Sequence, residues 1–323
     1  MENKNNCLLI ELSDIVKAQR IIDGHVHWTP MVSSTSLGQR IGADLHFKAE
    51  VFQKTGCFKP RGALNKLNSL NEKEKERGVI TISAGNHAQG LAYASSLYGI
   101  NATVIMPQNA VRSKVEATKA YGAEVILHGT HKDLMPKCRE VQQERDLTLI
   151  HPFDDLFIIA GHGTIGLEIL EDLPMVEMVL VPIGGGGLIS GIATAIKSKK
   201  PDVKVIGVEP TGAAVMSKSV QQNEVVHLDE IDTVADGLAA PFAGRYTLAH
   251  VKEYVDEIVL VSDEEIIAAL RLILERCKIL TEPSAAASFA ALLFDKVVVP
   301  KDSCVVCVLS GGNIDISLLK KIL

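Results

Sequence analysis

Between Gly78 and about Ile150, short apolar runs rich in β-branched residues alternate with segments whose apolar residues recur every three or four positions. The runs are VITIS, ATVIMP and AEVILHG, and the segments between them are HAQGLAYASSLYG and RSKVEATKAYG, followed by a longer polar helix ending near Arg145. Such alternation predicts a parallel, doubly wound sheet, because each buried strand must return through a helix laid on its face. Gly99 and Gly122 stand where those helices should stop.

A second alternating series begins near Met178 with MVLVPI, a glycine run, the helix ISGIATAIKSKK and the strand VKVIGVEP. The fold class is therefore α/β, with two αβα units built on mainly parallel twisted sheets. A helix is expected over Ser13–Ile22, in an N-terminal part that the pattern assigns to neither unit. The charge run NEKEKERG, Asn71 to Gly78, reads as a solvated helix end and a boundary between units.

The chain has 323 residues, 47% hydrophobic and 22% charged, enough for a large core and about two domains. A formal net charge of -6 gives no basic footprint, so neither nucleic acid nor an acidic membrane surface is an expected partner. The longest uncharged stretch, Met178 to Ile196, is broken by Pro182 and four glycines, which excludes a membrane helix there. No secretory signal pattern opens the chain, and a cytoplasmic location is expected. Six scattered cysteines do not form a disulfide framework; in SCVVCVL the Cys304–Cys307 pair reads as part of a buried strand, since no second pair completes a metal site.

Four turns carry candidate chemistry. In TGCFKPRGALNKL, Pro60 biases Lys59 away from helical backbone angles, so the helix is expected to begin near Arg61 to Ala63. Most lysines at such places are simply solvated. The positive end of the helix nevertheless disfavours a cation, and a depressed pKa suits an amine that attacks a carbonyl. In SAGNHAQG, Ser83 to Gly90, a strand-to-helix turn presents backbone N–H groups that can grip a carboxylate, and Ser83 or Asn86 can equally serve as a helix cap. GGGGLISG, Gly184 to Gly191, follows a strand and opens a helix, the arrangement of a phosphate cup. It fits the dinucleotide fingerprint poorly and lacks the Lys-Ser or Lys-Thr of a P-loop. VLSGGNID, Val308 to Asp315, empties a buried strand into a glycine turn where Ser310 can offer a neutral hydrogen bond to a ring nitrogen.

Together with IAGHGTIGLEI, VADGL and TEPSAAA, these segments resemble, in order and over almost the whole chain, the fold-type II pyridoxal phosphate enzymes with the tryptophan synthase β-like fold, specifically the threonine/serine dehydratase and serine racemase group. The resemblance implies pyridoxal 5'-phosphate held as a Schiff base on Lys59 beside Phe58. It places Asn86 at the ring hydroxyl, Gly184, Gly185, Gly186 and Gly187 with Leu188 around the phosphate, and Ser310 at the pyridine nitrogen. It gives the substrate carboxylate to Ser83, Ala84, Gly85, Asn86 and His87. It implies a large cofactor-binding domain of residues 1–68 and 152–323 and a small substrate-binding domain of residues 69–151.

The implied reaction is β-elimination, converting L-threonine to 2-oxobutanoate and ammonia and L-serine to pyruvate. The alternatives are an amino-acid racemase, or a dehydratase of 3-hydroxyaspartate or phenylserine; a non-catalytic amino-acid or nucleotide binder would have no need of Lys59. The racemases of the group carry a second acid/base, a serine, where this chain has Ala84, which favours the dehydratase. Glu209 is the one candidate left from the group's metal site, since Ala213 and Val215 occupy the companion positions, so no metal is expected with assurance. Cys57 and His162 stand where serine and glutamine are common. Only eight residues follow Asp315, so the chain is more similar to the short catabolic dehydratases than to forms with a regulatory domain; a homodimer is expected.

Overall fold

The computed structural model describes residues 9–322. Its ten strands, in chain order, are β1 (Met31–Ser33), β2 (Asp44–Ala49), β3 (Val79–Ile82), β4 (Ala102–Met106), β5 (Glu124–Leu127), β6 (Thr148–Leu149), β7 (Met178–Pro182), β8 (Lys204–Pro210), β9 (Glu257–Val261) and β10 (Cys304–Leu309). They form two sheets, ordered β1-β2-β10-β7-β8-β9 and β5-β4-β3-β6. All pairs are parallel except β1 with β2, an antiparallel edge of three residues.

Both faces of each sheet are covered, which is why the strands read as unbroken apolar runs. In β10, Val305, Cys307 and Leu309 pack with Phe289 and Ala286 on one face, while Val306 and Val308 pack with Ile192 and Ala193 on the other. In the smaller sheet Val79 and Val104 meet Leu91 and Leu64, and Ile80 and Ile105 meet Leu134 and Val141. Cys304 and Cys307, three positions apart on one strand, point to opposite faces, and both are free thiols.

The expected strand and helix segments appear close to their sequence limits. Gly99 ends the Asn86–Tyr98 helix at φ 65°, the left-handed cap for which glycine is suited. The N-terminal helix spans Leu12–Ile22 and serves both units: Ile15 and Ala18 pack on Ile159 and Ala195, and Ile22 joins the core of the four-stranded sheet. The charge run forms the short helix Glu72–Arg77, capped reciprocally by Asn71 and Glu74, with no buried residue.

The Lys59–Asn68 helix positions the site. Its Ala63, Leu64 and Leu67 join the core of the smaller sheet, while its Arg61 is fully buried toward the Leu156–Asp172 helix. Arg61 donates to both oxygens of Glu50 (2.9 and 2.8 Å) and both oxygens of Glu168 (2.5 and 3.0 Å). Lys48, also buried, reaches Glu168 at 2.8 Å and Asp172 at 3.2 Å. Two cations against three carboxylates, with the Thr29 hydroxyl donating to Glu50 at 2.5 Å, leave the network well satisfied.

Candidate active site

The helix of the candidate lysine begins at Lys59 itself, two residues earlier than the sequence pattern indicates, with Pro60 in its first turn. Proline is accommodated there because first-turn N–H groups have no acceptor inside the helix. Lys59 Nζ enters a cavity of about 590 Å³ and donates to the Pro152 carbonyl at 2.9 Å, 5.0 Å from the Phe58 ring centre. Burial pulls the amine down from 10.5 to about 8, against the opposing pull of Cys57 and Glu282. The cause is enclosure by the cavity walls, where the sequence pattern pointed to the helix dipole.

Every residue singled out in the four turns lines this one cavity: Phe58 and Lys59, Ser83 to His87, Gly184 to Leu188, and Ser310. They arrive from the ends of β3, β7 and β10 and from the start of the Lys59–Asn68 helix, the place where open parallel sheets bind ligands.

The Ser83 hydroxyl accepts from the N–H groups of Gly85 and Ala88, both at 3.2 Å, so Ser83 is a cap of the Asn86–Tyr98 helix as well as a cavity wall. The Asn86 amide donates to Glu282 Oε1 at 2.7 Å, and its side-chain carbonyl accepts from Asn313 at 2.8 Å, which leaves one amide hydrogen for a ligand. His87 and His162 are buried, with imidazoles held neutral far below their usual range, first by burial and then by Lys59.

The glycine turn is tightly built. A Cβ on Gly185 would stand 2.4 Å from the Phe153 ring, one on Gly187 would stand 2.9 Å from the Phe153 carbonyl, and Gly186 has φ 93°. The Thr247 hydroxyl holds the turn by donating to the Gly185 carbonyl at 2.8 Å. Among the described residues the N–H groups of Gly184 to Gly187 donate to no protein acceptor. These four donors at the start of the thirteen-residue Gly187–Lys199 helix form an anion cradle.

Three further residues have defined surroundings. Glu209 is fully buried, and its two oxygens accept from the N–H groups of Met216 and Ser217 at 2.7 and 2.8 Å. It faces the first turn of the Val215–Gln222 helix and lies outside the cavity. Burial pushes the Cys57 thiol up to about 12, which keeps it protonated. His162 is buried behind Phe58: it meets the Phe58 ring edge-on at 4.6 Å, and Gly62 makes room for it, since a Cβ there would be 2.6 Å from Nε2.

Glu282, Phe153, Pro152 and Asn313 were not singled out by the sequence pattern. Glu282 is the informative omission, because it is the only charged residue between Ile279 and Phe294, a stretch otherwise apolar or small. It is buried, burial raises its carboxyl from 4.5 to about 7, and its Oε2 has no hydrogen-bond partner among the described residues.

The family described as "Pyridoxal-phosphate dependent enzyme" matches residues 22–311. The chain belongs to that family. The L-threonine ammonia-lyase of Thermotoga maritima is 45% identical over 316 residues, covering 98% of this chain and 78% of that protein. The structure of maize serine racemase superposes with a TM-score of 0.92 at 39% identity over 96% of both chains. The crystal structure of a threonine deaminase from T.th. gives 0.90 at 40% identity, over 95% of this chain and 99% of that one. The site fits the family's cofactor on its own chemistry: an amine of lowered pKa, an anion cradle that a Cβ would fill, and a neutral hydroxyl, Ser310, share one cavity.

Proposed function

We propose that this chain is a threonine/serine ammonia-lyase, releasing water and then ammonia from L-threonine or L-serine to give 2-oxobutanoate or pyruvate. The observation that carries the reading is the Lys59 amine, held at about 8 in the cavity where the glycine cradle and the Ser83–His87 turn converge. Support for the substrate class comes from the relatives named for threonine ammonia-lyase and threonine deaminase activity.

When bound, pyridoxal phosphate supplies an electron sink that acidifies the Cα proton of an attached amino acid. Gly184, Gly185, Gly186, Gly187 and Leu188 would hold its phosphate, Ser310 would serve the pyridine nitrogen, Phe58 would lie beside the ring, and Asn86 would give its remaining amide hydrogen to the ring hydroxyl. The N–H groups of the Ser83–His87 turn bind the substrate carboxylate at the start of the Asn86–Tyr98 helix. Lys59 Nζ would take the Cα proton, and the β-hydroxyl would gain one proton as its C–O bond breaks and leave as water, so that no net proton is consumed. The released enamine hydrolyses to the 2-oxo acid and ammonia. A neutral Ser310 does not stabilise a protonated ring as a carboxylate would, which favours elimination over transamination.

Residues 1–68 with 152–323 form the cofactor-binding part of this reading and residues 69–151 the substrate-binding part; the Lys59–Asn68 helix, packed toward both sheets, is the seam. Homodimer formation rests on the family resemblance; no described helix is long and apolar enough to cross a membrane.

A racemase is the second reading, favoured by the maize neighbour. Against it, Ala84 in the cavity wall has no proton to transfer. L-threonine, L-serine, D-serine, threo-3-hydroxyaspartate and phenylserine, scored for 2-oxo acid release, test the assignment. The expected ranking puts L-threonine and L-serine first. Chiral analysis of serine left after partial turnover should find the L form; rapid accumulation of D-serine would favour the racemase.

A further inference from the structure

At the end of the larger sheet opposite the cavity, β2 and β10 begin side by side. Their parallel register pairs Cys304 with Asp44 and Val306 with His46. Register partners in a parallel pair share a face, as do residues two apart on one strand. Asp44, His46 and Cys304 therefore project from the same face, and a carboxylate oxygen, an imidazole nitrogen and the thiol sulfur all lie within 4.8 Å of one another. Among the described residues they are the one such cluster of three different donor types.

His46 Nε2 faces the Asp44 carboxylate. It is shielded from solvent and stands 3.1 Å from Asp44 Oδ2, yet it makes no hydrogen bond of acceptable geometry. Neutral imidazole, thiolate and carboxylate are the ligand set of zinc-class ions, and the thiolate disfavours magnesium or calcium. Donors on a tetrahedral ion of that class are separated by about 3.5 Å, so small side-chain rotations bring all three into reach. Asp44 has 63% of its side chain exposed, which provides the route of entry, and water would take the fourth position.

We propose that Asp44, His46 and Cys304 bind one zinc-class divalent cation at the starts of β2 and β10, remote from the catalytic cavity. The ion ties two hydrogen-bonded strands whose far ends lead to Glu50 and Ser310, so its effect is on stability and not on turnover. Binding exchanges the thiol proton for the metal–sulfur bond, with no oxidant involved.

The cofactor-loaded protein, with its thiols kept reduced, is titrated with zinc(II) against a chromophoric chelator and, separately, with cobalt(II). The expected result is one tight equivalent per chain, a thiolate-to-cobalt charge-transfer band and a rise in Tm. Cys304→Ser, which changes one atom, should abolish the band; Cys304→Ser and His46→Ala should each weaken zinc binding by more than about tenfold, with kcat unchanged. Cys277→Ser, at a partly exposed thiol elsewhere, should retain all three signals. Absence of a saturable equivalent, or a band and affinity that survive in Cys304→Ser, overturns the proposal.

Discussion

Lys59 and Glu282 face one cavity and are shifted in opposite directions by the same cause, removal of their charged forms from water. For Lys59 this makes the neutral, nucleophilic amine accessible near physiological pH. The rate at which cofactor-stripped protein takes up pyridoxal phosphate should therefore rise with pH with an inflection near 8, followed by stopped-flow absorbance; an inflection near 10.5, the ordinary lysine value, would show that the cavity does not depress the amine. Glu282 has a folded-state pKa raised from 4.5 to about 7, so it favours the folded state fully below 4.5 and loses that contribution as pH rises to about 7. Glu282→Gln should accordingly gain in Tm relative to the parent across that window, measured by differential scanning calorimetry at several pH values. Lys59 was legible in the sequence because Phe-Lys-Pro is a constrained setting for a lysine, whereas the role of Glu282 depends on Asn86, 196 residues away in the chain, and no local pattern announces that contact.

The strand-to-helix turns convert glycine into function. Gly185 and Gly187 allow the Phe153 segment to lie directly against the cradle, and a methyl group at position 185 would have to displace an aromatic ring. Overpacking of this kind costs about 1–3 kcal/mol, and here the strain falls on the N–H groups that hold the anion. Gly185→Ala should weaken cofactor retention by roughly ten- to a hundredfold, measured by equilibrium dialysis, while far-ultraviolet circular dichroism stays unchanged. These turns were readable because glycine runs after apolar strands have few other uses. The start of the Lys59 helix was not, since the preference of a residue before proline is weak beside the tertiary packing of Arg61 against Glu50 and Glu168. The β1–β2 edge also escaped notice: three residues carry no periodicity, and their pairing is fixed by contacts from elsewhere in the sheet.

Across the whole molecule, the alternating pattern marked the strands of the smaller sheet and the central strands β7, β8 and β10 of the larger one, because buried parallel strands must be apolar on both faces. Which part of the N-terminal segment joins which unit was decided by long-range packing, with Ile15 turned toward one core and Ile22 toward another. An ion pair and a hydrogen bond also link elements on the two sides of the cavity: Lys114, in the Arg112–Ala120 helix beside the smaller sheet, meets Asp236, and the neighbouring Ser113 donates to Asp315 at 3.1 Å. The cavity between them is a cleft whose walls belong to different parts of the chain, and Lys59 sits on the helix that joins those parts. Elimination at Lys59 is tested most directly by the stoichiometry of L-threonine consumption by the purified, cofactor-loaded protein, run beside Lys59→Ala. The expected result is equimolar 2-oxobutanoate and ammonia from the parent protein and none from the variant; no 2-oxobutanoate from the parent, or undiminished turnover without Lys59, would contradict that assignment.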